Sequence, residues 1–244
     1  VPTMGALHQG HRKLIKEAKH FGISPNRVLV SVFVNPLQFG PKEDFQNYPR
    51  NLKKDCALAA SAEANALWAP SINEVFPNGN PPEINLKVAQ KLQSHLCGAK
   101  RPGHFDGVIQ VIHELLNIVR PQVLVLGEKD WQQLIILREL LKELNLTTRI
   151  NSVGTIRDPD GLACSSRNLY LNPSERQKAL TLPRLLSNSA KKILKGKKLN
   201  LETLRKDLTA SELIVEYLEA VDPFTLEPVQ NTCKPCLLAA AIHC

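Results

Sequence analysis

The chain has 244 residues, 43% of them hydrophobic, which suffices for a packed core in one large or two modest domains. Its formal charge of +8 and pI near 9.2 leave two readings open, a solvated basic surface or an anionic partner. No signal peptide and no run long enough to cross a membrane is visible, and six cysteines are scattered through a chain too long to need staples, which points to a reducing, cytosolic setting.

In chain order, the first stretch is Val1 to His11, read as the end of a strand running into a turn with Gly5, His8, Gly10 and His11. A helix starting near Leu7 sets His8 and His11 on one face of its first turn. Leu14, Ile15 and Ala18 continue its apolar stripe, which is expected to fade near Gly22 with Pro25 beyond. Val28 to Val34 is a continuous apolar, β-branched run, the pattern of a central parallel strand. Asn35-Pro36 ends it, so Asn35 and Gln38 fall on the loop at its carboxyl end, the edge where open α/β sheets bind ligands.

Phe39 to Tyr48 reads as a loop, Leu52 to Ala66 as a helix and Ala66 to Ala69 as a short strand. Asn78-Gly79 and Pro81-Pro82 mark turns, and Glu83 to Ala89 alternates weakly, as a strand. Ala99 to Gly107 reads as a glycine-rich basic loop in which the roles of Arg101 and His104 stay open; His113, on the following helix, reads as structural. Val108 to Val119 is an amphipathic helix and Val123 to Leu126 a buried strand. Gly127-Glu-Lys-Asp130 then opens the helix Trp131 to Leu144, and Thr147 to Val153 returns as a strand. This order predicts an α/β fold, a Rossmann-like doubly wound parallel sheet over residues 1–155.

From Thr155 the character changes. Helical patterns at Pro173 to Leu194 and Leu201 to Leu208, with strands at Ile214 to Ala220 and Leu237 to Ile242, predict a smaller α+β domain over residues 156–244. Lys191 to Lys206 is rich in lysine, as on the exposed side of helices, and aromatics are only 5%, which argues against a nucleic-acid platform. Cys233-Lys-Pro-Cys236 has no second pair or histidines at ligand spacing, so it is a weak metal or redox signal. Both ends read as strands, so further segments are expected beyond each.

Three short motifs fall at or just past strand ends: the histidine turn, Gly127 to Gln133, and Ser165-Ser166-Arg167. Glycine-bounded helix starts hold phosphates on backbone N–H groups. Lys129 is a point charge for phosphate, Asp130 an acceptor for ribose hydroxyls or a metal ligand, and Arg167 a fork for phosphate oxygens. Against this stands the plainer reading, in which Lys129 and Asp130 decorate a helix start and the serines cap a loop. Neither a Ser-His-Asp order, a metal-ligand histidine cluster nor a GxxxxGK[ST] loop is visible.

Taken together, PTMGALHQGH (2–11), FVNPLQF (33–39), RPGHFDG (101–107), GEKDWQQ (127–133) and CSSRN (164–168) resemble the successive motifs of the pantothenate synthetase (pantoate–β-alanine ligase) family, in its order and spacing. The resemblance implies an HxGH nucleotidylyl-transferase domain, a small lid domain, a cytoplasmic homodimer, ATP with Mg2+, and condensation of pantoate with β-alanine through pantoyl adenylate. It implies His11, His8, Lys129 and Arg167 as catalytic residues. Met4, Gly5, Ala6, Leu7, His8, Gln9, Gly10, His11, Gly127, Glu128, Lys129, Asp130, Ile156, Cys164, Ser165, Ser166 and Arg167 would bind ATP. Asn35, Gln38 and Gln133 would bind pantoate, Gln38 also β-alanine, and no metal is held by the protein alone. Cys164 stands where Met or Leu is usual and Trp131 where a smaller aromatic is. Some members are fused to a cytidylate kinase. The other readings are a plain nucleotidylyl transferase that never joins an amine, and a silent nucleotide- or RNA-binding module; no membrane or nucleic-acid partner is expected.

Overall fold

A computed structural model describes residues 1–21, 27–77, 79, 81, 83, 84, 87–229 and 235–244. The first elements are β1 (Pro2–Thr3), α1 (Gln9–Ala18), β2 (Leu29–Val32), α2 (Leu52–Ser61), β3 (Ala66–Trp68), α3 (Ile72–Val75), α4 (Lys87–Gln93) and α5 (Leu96–Lys100). They are followed by α6 (His104–Val119), β4 (Val123–Gly127), α7 (Trp131–Glu143) and β5 (Arg149–Val153). The last are α8 (Pro173–Ala179), α9 (Thr181–Leu194), α10 (Leu201–Ala210), β6 (Ile214–Val221) and β7 (Leu237–His243). The chain divides into two compact units, residues 1–90 with 101–156, and residues 91–100 with 157–244.

In the first unit β2 lies between β1 and β3 and is parallel to both, with Thr3 opposite Val32 and Val30 opposite Leu67. β4 and β5 form a second parallel pair, Val123 opposite Arg149 through Gly127 opposite Val153. β1 packs beside β4 without a hydrogen-bonded ladder between them. The spatial order is therefore β3-β2-β1-β4-β5. The chain moves outward from β1 to β3 and then returns to the other side of β1, which makes the β1/β4 junction a topological switch point.

Sequence and burial agree on why these segments pair. Val30 is fully buried in the middle of β2, packed with Ile15 of α1, Ala59 of α2 and Ala62 just past it. Leu134, Ile136, Leu137 and Leu140 of α7 are all at most 1% exposed. Such continuous apolar runs suit elements covered on every side.

The second unit is built on the antiparallel pair β6–β7, from Val221 opposite Leu237 to Ile214 opposite His243, with an irregularity between Val215 and Tyr217. Leu204 and Leu208 of α10 pack with Leu213 and Leu218, and Leu182, Leu186 and Leu238 join them. α5 packs on β6 and β7.

Several expectations are corrected. Residues 87–89, read as strand, open α4, where Ala89 and Leu92 are three apart and both buried, the helical period. The stretch 99–107, read as a loop, ends α5 and begins α6, because Gly103 takes a left-handed φ of +80° that turns the chain directly into the helix. The helix read to Ala66 ends at Ser61. Residues 91–100 group with the second unit, not with the first as a single cut near 155 implies. The expected end of α1 at Gly22 and Pro25, the turn residues Asn78 and Pro82, the strand positions Asn85 and Leu86, and Cys233 lie outside the described residues.

Candidate active site

α1 begins at Gln9, not Leu7, and His8 is its N-cap with extended backbone. The imidazole takes the place of the usual Ser or Asp: His8 Nδ1 accepts from the Gly10 N–H at 3.1 Å. Three residues on, His11 Nδ1 accepts from the His8 N–H at 3.3 Å, closing a reciprocal capping box built from two histidines. An Nδ1 that accepts carries no proton, so both rings are neutral and hold their proton on Nε2. The ring centroids are 4.0 Å apart. The result is a helix N-terminus with no acidic residue in its first turn, carrying two Nε2–H donors fixed by the backbone they cap.

The preceding turn needs special geometry. Gly5 has φ +84° and Ala6 φ +48°, two left-handed residues in succession. Asp55 of α2, only 2% exposed, takes up the exposed backbone there. It accepts from the Leu7 N–H at 2.7 Å and the Ala6 N–H at 3.2 Å.

The loop after β4 meets the same place. Lys129 Nζ donates to Asp130 Oδ1 at 3.2 Å. Asp130 precedes α7 and makes no side-chain cap to it. Burial acts on Asp130 to raise its pKa, but Lys129, then His11 and His104, outweigh it and hold the carboxyl below its ordinary value. Its side chain nevertheless keeps 62% of its surface open to water. Dense protein around a solvent-reached group is the condition of a concave wall. His11 shares it: burial, then the neighbouring His8 and Lys129, push it from 6.5 down to about 3, with Asp130 acting against them. The sign follows: a histidine depressed in this way contributes stability that is complete above about 6.5 and is lost as pH falls toward about 3. Glu128 is turned instead to the sheet, where its Oε1 accepts from Ser152 Oγ at 2.9 Å.

The loop after β2 is the third wall. Gln38 Nε2 donates to Met4 Sδ at 3.1 Å, linking this loop to that of β1. Its Oε1 accepts from Asn35 Nδ2 at 3.3 Å. Asn35, expected to touch a ligand, is 1% exposed. Its amide also donates to the Gly107 carbonyl at 3.0 Å and its oxygen accepts from the Leu37 N–H at 3.2 Å. Its bonds turn inward, so it stands behind Gln38 as a support. His104 Nδ1 donates to the Gln38 carbonyl at 2.7 Å, since that oxygen only accepts, and its Nε2 accepts from Arg101 at 3.1 Å. Arg101 is held by Glu43 through Nε at 2.7 Å. Glu43 is correspondingly depressed, chiefly by the Arg101 hydrogen bond. Gln133 stands half-buried on the first turn of α7.

Ile156 closes the first unit, while Cys164, Ser165, Ser166 and Arg167 belong to the second. There Ser165 Oγ accepts from the Arg167 N–H at 3.3 Å, as a loop cap does. Cys164 and Ser166 are buried, and the Cys164 thiol donates to Asp158 Oδ1 at 3.2 Å. Arg176 fixes that strand of loop through Asp158 and Asp160, both at 2.8 Å.

Two groups the sequence reading did not single out matter here, Asp55 and Glu43. An acidic residue in the first turn of a helix reads as a complement to the dipole, and only burial against a loop 48 residues away changes that reading.

A family model described as Pantoate-beta-alanine ligase matches residues 1–244. A relative from Prochlorococcus marinus (strain MIT 9313) named bifunctional pantoate ligase/cytidylate kinase is 56% identical over 245 residues, covering 100% of this chain and 48% of that protein. One of the same name from Synechococcus sp. (strain CC9605) is 50% identical over 244 residues, covering 100% of this chain and 49% of its own. The chain thus spans about half the length of these curated relatives. Among solved structures, the pantothenate synthetase of Thermus thermophilus superposes with a TM-score of 0.86 at 38% identity, covering 98% of this chain and 87% of that one. The Francisella tularensis pantoate-beta-alanine ligase complexed with beta-gamma ATP and beta-alanine gives 0.77 at 37%, covering 91% and 80%.

Two outcomes are expected. In 15N-resolved NMR of the histidine rings between about pH 8 and pH 5, His11 should remain in the Nε2–H form; titration of His11 near its ordinary value would contradict the capping box. Gly107→Ala should cost about 1–3 kcal/mol in urea unfolding, as overpacking does. A Cβ there would collide with the Leu37 carbonyl oxygen and stand 2.7 Å from the Gln38 nitrogen, backbone atoms that cannot swing aside. An unchanged midpoint would mean that α6 does not lie against the Gln38 turn.

Proposed function

The chain belongs to the pantoate-beta-alanine ligase family, and we propose that it condenses pantoate with β-alanine, using ATP and releasing AMP and pyrophosphate. The observation that carries the proposal is the pair of backbone-fixed imidazole donors at the start of α1, beside Lys129 and Asp130 at the switch point. Such a site suits a nucleoside triphosphate: the helix N-terminus and N–H donors hold phosphate oxygens, and the loop after β4 supplies a cation and a ribose acceptor.

In the first step a carboxylate oxygen of pantoate attacks the α-phosphorus of ATP. The bond to the bridging oxygen breaks and pyrophosphate leaves, giving pantoyl adenylate. In the second, the β-alanine amine attacks the acyl carbon, the bond to the AMP oxygen breaks, and a proton is lost from nitrogen to solvent. No protein nucleophile is needed, because phosphoryl and nucleotidyl transfer rest on positioning and charge stabilisation. His8 and His11 would donate from Nε2 to oxygens whose charge grows as pyrophosphate departs, with Lys129 adding positive charge. Met4 to His11, Gly127 to Asp130 and Ile156 would form the nucleotide site of the first unit. Gln38 and Gln133 would orient pantoate with neutral amides that leave its nucleophilic carboxylate charged, and Gln38 would also meet β-alanine. Asn35 would make no direct contact with pantoate and would instead aim Gln38.

Mg2+ would arrive with ATP. Among the described residues no group of three or more candidate ligands clusters, and Mg2+ commonly takes substrate phosphates and water with one or two carboxylates. Asp130 fits as such a carboxylate, and the ion would offset phosphate charge. A cytidylate kinase carried on the same polypeptide, as the relatives' names state for them, a homodimeric assembly and a cytoplasmic setting belong to the same proposal. Among the described residues no helix is long and apolar enough to cross a membrane.

The test is product analysis with Mg–ATP, pantoate and β-alanine. Pantothenate, AMP and pyrophosphate should appear in equal amounts, and ATP–pyrophosphate exchange should require pantoate. Exchange without pantoate, or no amide product, overturns the proposal. His11→Ala should lower kcat/KM for adenylation by about 2–4 kcal/mol of transition-state stabilisation, as one lost oxyanion donor does, with the circular dichroism spectrum unchanged. Near-parental adenylation would remove His11 from the mechanism.

A further inference from the structure

We infer that Asp55 is a positioning residue for nucleotide activation, acting through the backbone of the turn that delivers His8 and His11. The inference rests on the ligase reading of that site. Asp55 does not face the ligand: its side chain is 2% exposed, and its two oxygens are taken up by the N–H groups of Ala6 and Leu7.

The geometry shows what this carboxylate decides. A Cβ added at Gly5 would come within 3.0 Å of Asp55 Oδ2 and of Val32 Cγ1, so the turn is pressed directly onto the carboxylate and β2. Ala6 holds φ +48°, a region that L side chains rarely adopt. A strained residue of this kind persists only where its surroundings over-determine it. Here the surroundings are a charged acceptor that fixes the N–H of the strained residue and the next one together. Leu7 adjoins His8, whose N–H and Nδ1 are both committed to the capping box. Displacing Leu7 therefore displaces His8, and through the His8 N–H also His11.

Without the carboxylate, two partly buried N–H groups lose their partner and Ala6 is released toward an ordinary conformation. Both Nε2–H donors then move from where departing pyrophosphate needs them. Pyrophosphate leaves in the first chemical step only. Loss of Asp55 should therefore affect adenylation far more than transfer of a preformed acyl group to the amine. A side chain needed only for folding would affect both alike.

The experiment uses Asp55→Ala and Asp55→Asn in the full chain, with two assays: pantoate-dependent ATP–pyrophosphate exchange, and aminolysis of supplied pantoyl adenylate by β-alanine. Asp55→Ala should slow exchange about 100-fold, the scale of an ångström's misplacement of catalytic groups. Aminolysis should stay within about threefold of the parent, because it needs no charge stabilisation on departing pyrophosphate. Asp55→Asn keeps one oxygen for the Leu7 N–H and should fall between Ala and the parent in exchange. Equal losses in both assays, or exchange by Asp55→Ala within about threefold of the parent, overturn the inference. If the alanine variant fails to fold, the asparagine variant decides by the same contrast. If the parent itself shows no pantoate-dependent exchange, the ligase reading fails. Histidine-ring NMR of Asp55→Asn then tests the positioning alone: altered His8 and His11 ring signals support it, and unchanged signals overturn it.

Discussion

The carboxyl ends of β1, β2 and β4 lie together because the strand order reverses at β1, and every feature of the first unit's site depends on that adjacency. Parallel strands send all their following loops to one edge of the sheet. The reversal then leaves a gap between the loops of β1 and β4, with no helix crossing between them. Into this gap the chain puts the start of α1 from one side and Lys129–Asp130 from the other. The influence of His11, Lys129, His104 and Asp130 on one another's protonation follows from this shared edge.

Near neutral pH His11 adds no charge to the gap. Two imidazolium ions 4.0 Å apart would repel each other and Lys129, and binding or losing protons would change the field with each cycle. Committing both Nδ1 atoms to backbone N–H groups removes that variability. The rings become fixed dipoles, and the mobile positive charge is left to Lys129. Donors already oriented toward developing charge need no reorganisation when it develops.

Behind the Gln38 side chain stands a supporting layer of buried and half-buried groups. Asn35 joins Gln38 to the Gly107 carbonyl, and Gly107 lets α6 approach the Gln38 turn until only a hydrogen fits. Arg101, itself gripped by Glu43, and His104 hold the Gln38 carbonyl. These contacts give Gln38 a defined direction on both its side chain and its backbone.

Much of this was legible along the chain. The apolar run from Val28, the strand–turn–helix at Gly127 and the change of character after Thr155 each follow from local periodicity and turn chemistry, and local rules act on neighbours in sequence. The helix start at the HxGH turn was visible for the same reason. What local rules could not show was which side chains face inward. Asn35 looked like a ligand residue until tertiary packing buried it behind Gln38, and Asp55, which no local pattern singled out, was set beneath Ala6 and Leu7. The sequence by itself determined the elements, their order and the residue types at the sheet edge, because these depend on short-range sterics and hydrophobic pattern. Only the tertiary structure decided how far His11 is buried and which residues face the gap and which stand behind them, because both depend on burial and on contacts between groups far apart in the chain.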